Sequence, residues 1–135
     1  MRLISLIGVG SVGRAFVEHS LSHNLRQIRY CVIDGNIKGQ GRCIVAHQIR
    51  ASDKEIDDRK DTLRAKLSQA VSGSEICILV AALGERRAGE IAGLAAEVAA
   101  EAGCITMVIG FHPFEFSGKR ARNKAANAYR NLRRH

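Results

Sequence analysis

No apolar run in this chain approaches the ~18–20 residues that a membrane span needs. The opening Met1–Ile7 is too short an apolar run for a signal peptide, and glycines follow it where a cleavage site would want other small residues. Cysteine is sparse and scattered. Cys31, Cys43, Cys77 and Cys104 form no CxxC pair, which argues against zinc and against a redox dithiol. Buried, reduced thiols in a cytoplasmic protein are expected instead. Proline occurs once, at Pro113, and there is no repeat, low-complexity stretch or linker, so residues 1–135 are expected to form a single domain. Acidic residues are missing from one place in particular. Residues 1–116 carry 14 basic and all 13 acidic side chains, whereas residues 117–135 carry seven basic and no acidic ones. The formal charge of +8 is therefore a near-neutral body with a basic tail.

Four apolar runs are present, at Leu3–Ile7, Ile28–Ile33, Ile76–Val80 and Cys104–Ile109. They are apolar at nearly every position, as suits strands of a parallel sheet covered on both faces. Cys43–Ala46 reads either as a fifth, short strand or as an apolar loop anchor. Between the strands lie helical patterns. Val12, Ala15, Phe16 and His19 stripe the first. Ser52 and Glu55 form a capping box for the second, whose apolar face is Ile56, Leu63, Leu67 and Ala70. Ile91, Leu94, Ala95, Val98 and Ala102 mark the third, which stops at Gly103. Ala121, Ala125, Ala128, Tyr129 and Leu132 mark a basic C-terminal helix over 119–134. This alternation predicts an α/β fold: a doubly wound, mainly parallel sheet of about four to five strands with helices on both faces.

Gly8-Val9-Gly10-Ser11-Val12-Gly13 follows a strand and opens a helix with the spacing GxGxxG. Glycines there let the backbone turn tightly and approach a phosphate, whose charge meets the free N–H groups of the helix. The loop does not name its nucleotide, and a tight turn without ligand has the same pattern. Asp34 stands at the end of the second strand, 21 residues after Gly13. That is where an NAD(P)-binding Rossmann domain holds the ribose, although Asp34-Gly35-Asn36 is also turn chemistry in its own right.

The second half of the chain changes the balance. Gly73-Ser74-Glu75-Ile76-Cys77-Ile78-Leu79-Val80-Ala81-Ala82-Leu83-Gly84 resembles the strand leading into the glycine-rich signature of the FtsZ/tubulin family, and a helix over 92–103 follows at that family's spacing. Thr106 and His112-Pro113-Phe114-Glu115-Phe116-Ser117-Gly118-Lys119-Arg120 resemble the family's K/R-P-F-x-F-E-G-K/R segment, the most specific match in the chain. The resemblance covers most of residues 3–134 and is weak across 36–60, where Gly39-Gln40-Gly41-Arg42 alone resembles a further glycine loop. It implies the family's N-terminal nucleotide-binding domain and, with it, GTP or GDP as ligand.

Departures limit what carries over. The signature G-G-G-T-G-T-G falls on Gly84-Glu85-Arg86-Arg87-Ala88-Gly89-Glu90, which keeps the first glycine in register. Two carboxylates stand where the family cradles phosphate. Arg86 and Arg87 either pair with phosphate, which guanidinium binds bidentately, or pair with Glu85 and Glu90 in a solvated loop. In the first loop Ser11, Val12 and Arg14 replace glycines, and the family's base-binding asparagines fall on Ala15 and Glu18. The sequence stops at His135, where the family's next strand would begin, so no catalytic residue is expected and hydrolysis by this chain alone is not. The candidate nucleotide-binding residues are Gly8, Gly10, Ser11, Gly13, Asp34, Gly84, Arg86 and Arg87.

Other constellations are weaker. His19 and His23 lie four apart without a third ligand at fixed spacing, and no metal is expected. His112 takes the place of a basic family residue. The tail has one aromatic, Tyr129, which supports base stacking poorly; nucleic acid is less favoured than an acidic protein surface. The resemblance implies a filament-forming relative, or self-association, as the partner, and a regulatory or assembly role linked to the bacterial cytoskeleton and cell division.

Overall fold

The computed structural model describes residues 3–23, 27–34, 47–50, 60–84, 88–111 and 119–132. The Val- and Ile-rich runs form strands β1 (Ile4–Val9), β2 (Ile28–Asp34), β4 (Ile76–Ala82) and β5 (Ile105–Phe111), joined by a short β3 (His47–Arg50). Between them lie α1 (Gly10–Ser22), α2 (Lys60–Val71), α3 (Ala88–Glu101) and α4 (Lys119–Leu132). All strand pairs are parallel and the sheet order is β3-β2-β1-β4-β5. The chain thus runs outward from β1 to β3, returns to β4, and continues outward to β5. This is the doubly wound arrangement, with its switch point between β1 and β4. The possible strand at Cys43–Ala46 falls on residues outside the described set, as does the capping box at Ser52. The strand that pairs with β2 is His47–Arg50.

Alternate residues of the strands feed two apolar clusters. On one face Ile7, Val9, Cys31, Ile33, Cys77, Leu79 and Ala81 meet Leu63, Leu67 and Ala70 of α2 and Ile91, Ala95 and Val98 of α3. Of the predicted α2 face, Leu63, Leu67 and Ala70 are buried and Ile56 lies outside the described residues; of the predicted α3 face, Ile91, Ala95 and Val98 are buried, Leu94 is partly buried, and Ala102 lies past the end of α3 and is exposed. On the other face Leu6, Val17, Tyr30, Val32 and Val80 gather under α1, with Leu21, Ile28 and Ile78 at the margin.

Two expectations are corrected here. The stripe Val12, Ala15, Phe16 and His19 is exposed; α1 instead buries Gly10, Gly13 and Val17. The helical period was legible but its phase was not, because the closest contact is made by a glycine. Likewise β5 is not covered on both faces. Among the described residues it is the edge strand, and Ile105, Met107, Val108, Ile109 and Phe111 are all exposed. In α4, Ala125 is buried against α3 whereas Tyr129 is exposed.

Polar groups fasten the framework at a few points. The Arg29 guanidinium on β2 donates to the carbonyl oxygens of Ser72 (2.6 Å), Ala70 (3.3 Å) and Gln69 (3.4 Å) at the carboxyl end of α2. A cation there complements the helix dipole and satisfies carbonyls without intrahelical partners. Arg64 on α2 pairs with Glu97 (2.7 Å) and Glu101 (3.3 Å) on α3, a surface contact of small energy. Ser5 is fully buried in β1, and its hydroxyl donates to the Ala70 carbonyl (3.0 Å). The Ser74 hydroxyl, 2.5 Å away, then donates to Ser5 Oγ. Ser5→Ala leaves the Ser74 hydroxyl without this acceptor, while the Ala70 carbonyl keeps the Arg29 contact. Its expected cost is about 1–2 kcal/mol, read as a lower urea midpoint at unchanged slope. An unmoved midpoint would show that the buried pair is energetically neutral.

Candidate functional site

The glycine loop folds as two strand residues and the first turn of a helix. Gly8 and Val9 end β1, and Gly10 opens α1 with φ +73°, a backbone region that side-chain-bearing residues avoid. This turn lays α1 back over the sheet at very short range. A Cβ placed on Gly13 would overlap the carbonyl oxygen of Val80 and lie 2.9 Å from the Gly8 carbonyl carbon. One placed on Gly8 would lie 2.5 Å from the Gly13 carbonyl carbon and 2.7 Å from Val17 Cγ2. Gly8 and Gly13 are therefore required by the mutual approach of β1, α1 and β4. Their presence is accounted for structurally whether or not a ligand binds.

The register collects most of the candidate residues at one edge. Val9 is level with Ile33 on β2 and with Ala81 on β4. Asp34, the last residue of β2, and Gly84, in the turn after β4, consequently share the carboxyl edge of the sheet with Gly8, Gly10, Ser11 and Gly13. That edge, at the switch point, is where open α/β sheets bind ligands. Arg86 and Arg87 lie outside the described residues, as do Glu85 and residues 112–118.

The two helix N-termini that face this edge differ in charge. The first turn of α1 contains no acidic residue, and Val9 at its N-cap makes no side-chain capping bond. Ser11 in that turn is exposed. The first turn of α3 carries Glu90. A carboxylate in a first turn is stabilised by the helix dipole, and an anion arriving there would meet like charge. Only α1 among this pair offers an N-terminus suited to phosphate. This asymmetry was legible in the sequence at Glu90 but not at Val9, whose capping position depends on β1 running two residues further than its apolar run suggests. Leu83 closes the edge on the β5 side: it is buried, and its N–H donates to the Phe111 carbonyl (2.9 Å).

Elsewhere, His19 and His23 meet edge to face with Nε2 atoms 3.3 Å apart on the exposed surface of α1. No group of three metal-ligating side chains occurs among the described residues. Cys31 and Cys77 are buried and free, and Cys104 is partly buried and free. No helix among the described residues is long and apolar enough to cross a membrane.

The parallel sheet with its glycine-lined switch point defines a doubly wound α/β domain. Comparison with known proteins narrows it. The chain is 22% identical to the cell division protein FtsZ of Coxiella burnetii over 96% of its own length and 36% of that protein's. It is 25% identical to FtsZ of Buchnera aphidicola over 87% of its length and 34% of that protein's. It superposes on a solved point mutant of M. jannaschii FtsZ with a TM-score of 0.88, covering 99% of this chain and 44% of that one at 16% identity. On TubZ of Clostridium botulinum phage c-st the TM-score is 0.75, with 97% and 46% covered, again at 16% identity. No protein-family model matches the chain. The chain is FtsZ-like in fold across nearly its whole length, and it spans about a third of the curated relatives it matches.

Proposed function

We propose that this chain is a divergent FtsZ-like binding module that takes a guanine nucleotide through α1 and acts as a regulatory or assembly component of a cytoplasmic filament system linked to cell division. The observation that carries this is the acid-free first turn of α1 at the switch point of an FtsZ-like sheet. Gly8, Gly10, Ser11 and Gly13 would approach GTP or GDP through the backbone. The second loop retains Gly84 but places Glu90 in the first turn of α3, which favours binding without turnover. The curated relatives are named for cell division, and this supports a filament-forming relative as partner.

A second reading is favoured by one observation: Asp34 ends β2 at the same edge as the glycine turn, as an NAD(P)-binding domain requires. One thermal-shift screen with GTP, GDP, ATP and NADH separates the two. Under the guanine reading GTP and GDP raise the melting temperature and NADH does not. A ligand at ~100 times its dissociation constant stabilises by about 2.7 kcal/mol. A shift with NADH alone, lost in Asp34→Ala, would establish the dinucleotide reading instead. The filament role is tested by co-sedimentation with FtsZ from the same cell. Polymer mass or length should change when the chain is in excess, and an unchanged polymer refutes the role.

A further inference from the structure

His19 and His23 belong neither to the glycine-lined edge nor to the core. Both are exposed. They stand four apart at the carboxyl end of α1, where His19 lies in the last turn and His23 is the C-cap. Spacing alone supplied two metal-ligating side chains and no third. The structure adds how the two rings are held.

Residues four apart share a helix face, and here the two imidazoles turn the same ring atom toward each other. Their Nε2 atoms are 3.3 Å apart, with ring planes at 76° and centroids 4.9 Å apart. A ring N–H usually sits about 2.7–3.2 Å from its acceptor, so this contact is long for a proton shared between rings. It matches the span of two ligands on one tetrahedral ion. Metal–nitrogen bonds of ~2.0–2.1 Å at the tetrahedral angle set their nitrogens ~3.3–3.4 Å apart. Square-planar coordination with bonds of the same length would need ~2.8–3.0 Å.

The backbone beneath the pair is fastened. Ser22 Oγ donates to the His19 carbonyl (2.6 Å), Ser20 Oγ to the Phe16 carbonyl (2.9 Å), and the His23 N–H to the Ser20 carbonyl (3.1 Å). These bonds close the last turn of α1 around both histidines, which lowers the ordering cost of binding. Charge favours a cation at the same place. The carboxyl end of a helix is the negative end of its dipole. Arg14 is the only Lys or Arg in α1, and Glu18 holds it at 3.0 Å, so no unpaired cation of the helix repels an incoming ion.

We propose that His19 and His23 chelate a zinc ion through both Nε2 atoms, bridging the last turn of α1, with two coordination positions left open to solvent. Imidazole nitrogen suits Zn²⁺ among the divalent ions, and the observed span suits its tetrahedral geometry. Chelation supplies the affinity, because the first bond makes the second intramolecular. No third ligand joins the pair among the described residues, so the ion is exchangeable rather than structural. The site needs neither a nucleotide nor a filament, and its test is run without either.

Zinc is titrated into the full chain by calorimetry, and the histidine rings are followed by proton–nitrogen correlation spectra. The Nε2 resonances of His19 and His23 should shift together, with the ring proton retained on Nδ1. His19→Gln and His23→Gln should each weaken zinc binding about tenfold or more, since either change removes the chelate. Both positions are exposed, so the variants should melt as the metal-free parent does. Zinc should raise the melting temperature of the parent and of neither variant. Equal zinc affinity in either variant would overturn the proposal. So would coordination through Nδ1, or an absence of binding at millimolar zinc.

Discussion

Gly13→Ala is expected to destabilise the chain by about 3 kcal/mol or more, with Gly8→Ala close behind. In an ordinary helix the same change stabilises, since alanine exceeds glycine in helix propensity by about 1 kcal/mol. At position 13 that gain is outweighed by overlap. The new methyl would meet the Val80 carbonyl oxygen, with the Gly8 carbonyl carbon at 2.9 Å and Gly8 Cα at 3.0 Å. These are backbone atoms of the two central strands, so no side chain can swing aside. Relief requires α1 to lift from the sheet, which uncovers Val17, Leu6 and Val80. Overpacking alone costs about 1–3 kcal/mol, and loss of apolar cover adds to it. Gly93→Ala is the control. Nothing lies within 4 Å of its added methyl in α3, so it should gain about 0.5–1 kcal/mol. Urea unfolding of the three variants checks the order. A Gly13→Ala chain as stable as the Gly93→Ala chain would show that α1 does not approach the sheet this closely.

The same contact explains what the sequence could and could not disclose. A parallel strand buried on both faces leaves a continuous apolar run, and β1, β2 and β4 were legible for that reason. By that test β5 looked much like β4, because Ile105–Phe111 is interrupted only by Thr106 and Gly110 where Ile76–Ala82 is apolar throughout. Whether such a run is covered depends on which element lies beyond it, and composition does not carry that. In α1 the apolar residues Val12 and Phe16 have the right period and the wrong phase, because glycine carries no hydrophobic signal yet makes the tightest contact. The position of the glycine turn and of Asp34 at the carboxyl edge followed from spacing alone. The Arg29 contacts did not, since the carbonyl they meet most closely lies 43 residues away. The electropositive α1 terminus became visible only once β1 was seen to end at Val9.

Stability should fall steeply above pH 9, and Cys31 and Cys77 should be the cause. Both thiols are fully buried, in the same core cluster on one face of the sheet. Burial pushes Cys31 from 9.0 up to about 12, with Cys77 adding like-charge repulsion. Burial pushes Cys77 likewise to about 12, with Cys104 adding repulsion. In the folded chain the protonated thiols persist toward pH 12, whereas in the unfolded chain they ionise from about pH 9. The unfolded state then binds fewer protons, so the free energy of unfolding decreases with pH. The contribution is fully present below pH 9 and lost as pH rises toward 12. The slope is about 1.4 kcal/mol per pH unit for each thiol, which across even two units is large against a typical stability of about 5–15 kcal/mol. Lysine and tyrosine ionise in the same range, so the test is a difference. Urea unfolding at pH 8, 9, 10 and 10.5 is compared between the parent chain and Cys31→Ala or Cys77→Ala. Each variant starts less stable at pH 8 because a cavity replaces the sulfur, and the gap should narrow as pH rises. The native thiols should also resist alkylation by iodoacetamide at pH 9 and react at once in denaturant. A gap that stays constant from pH 8 to 10.5 would show that Cys31 and Cys77 ionise alike in the two states, contrary to their burial beneath α2 and α3.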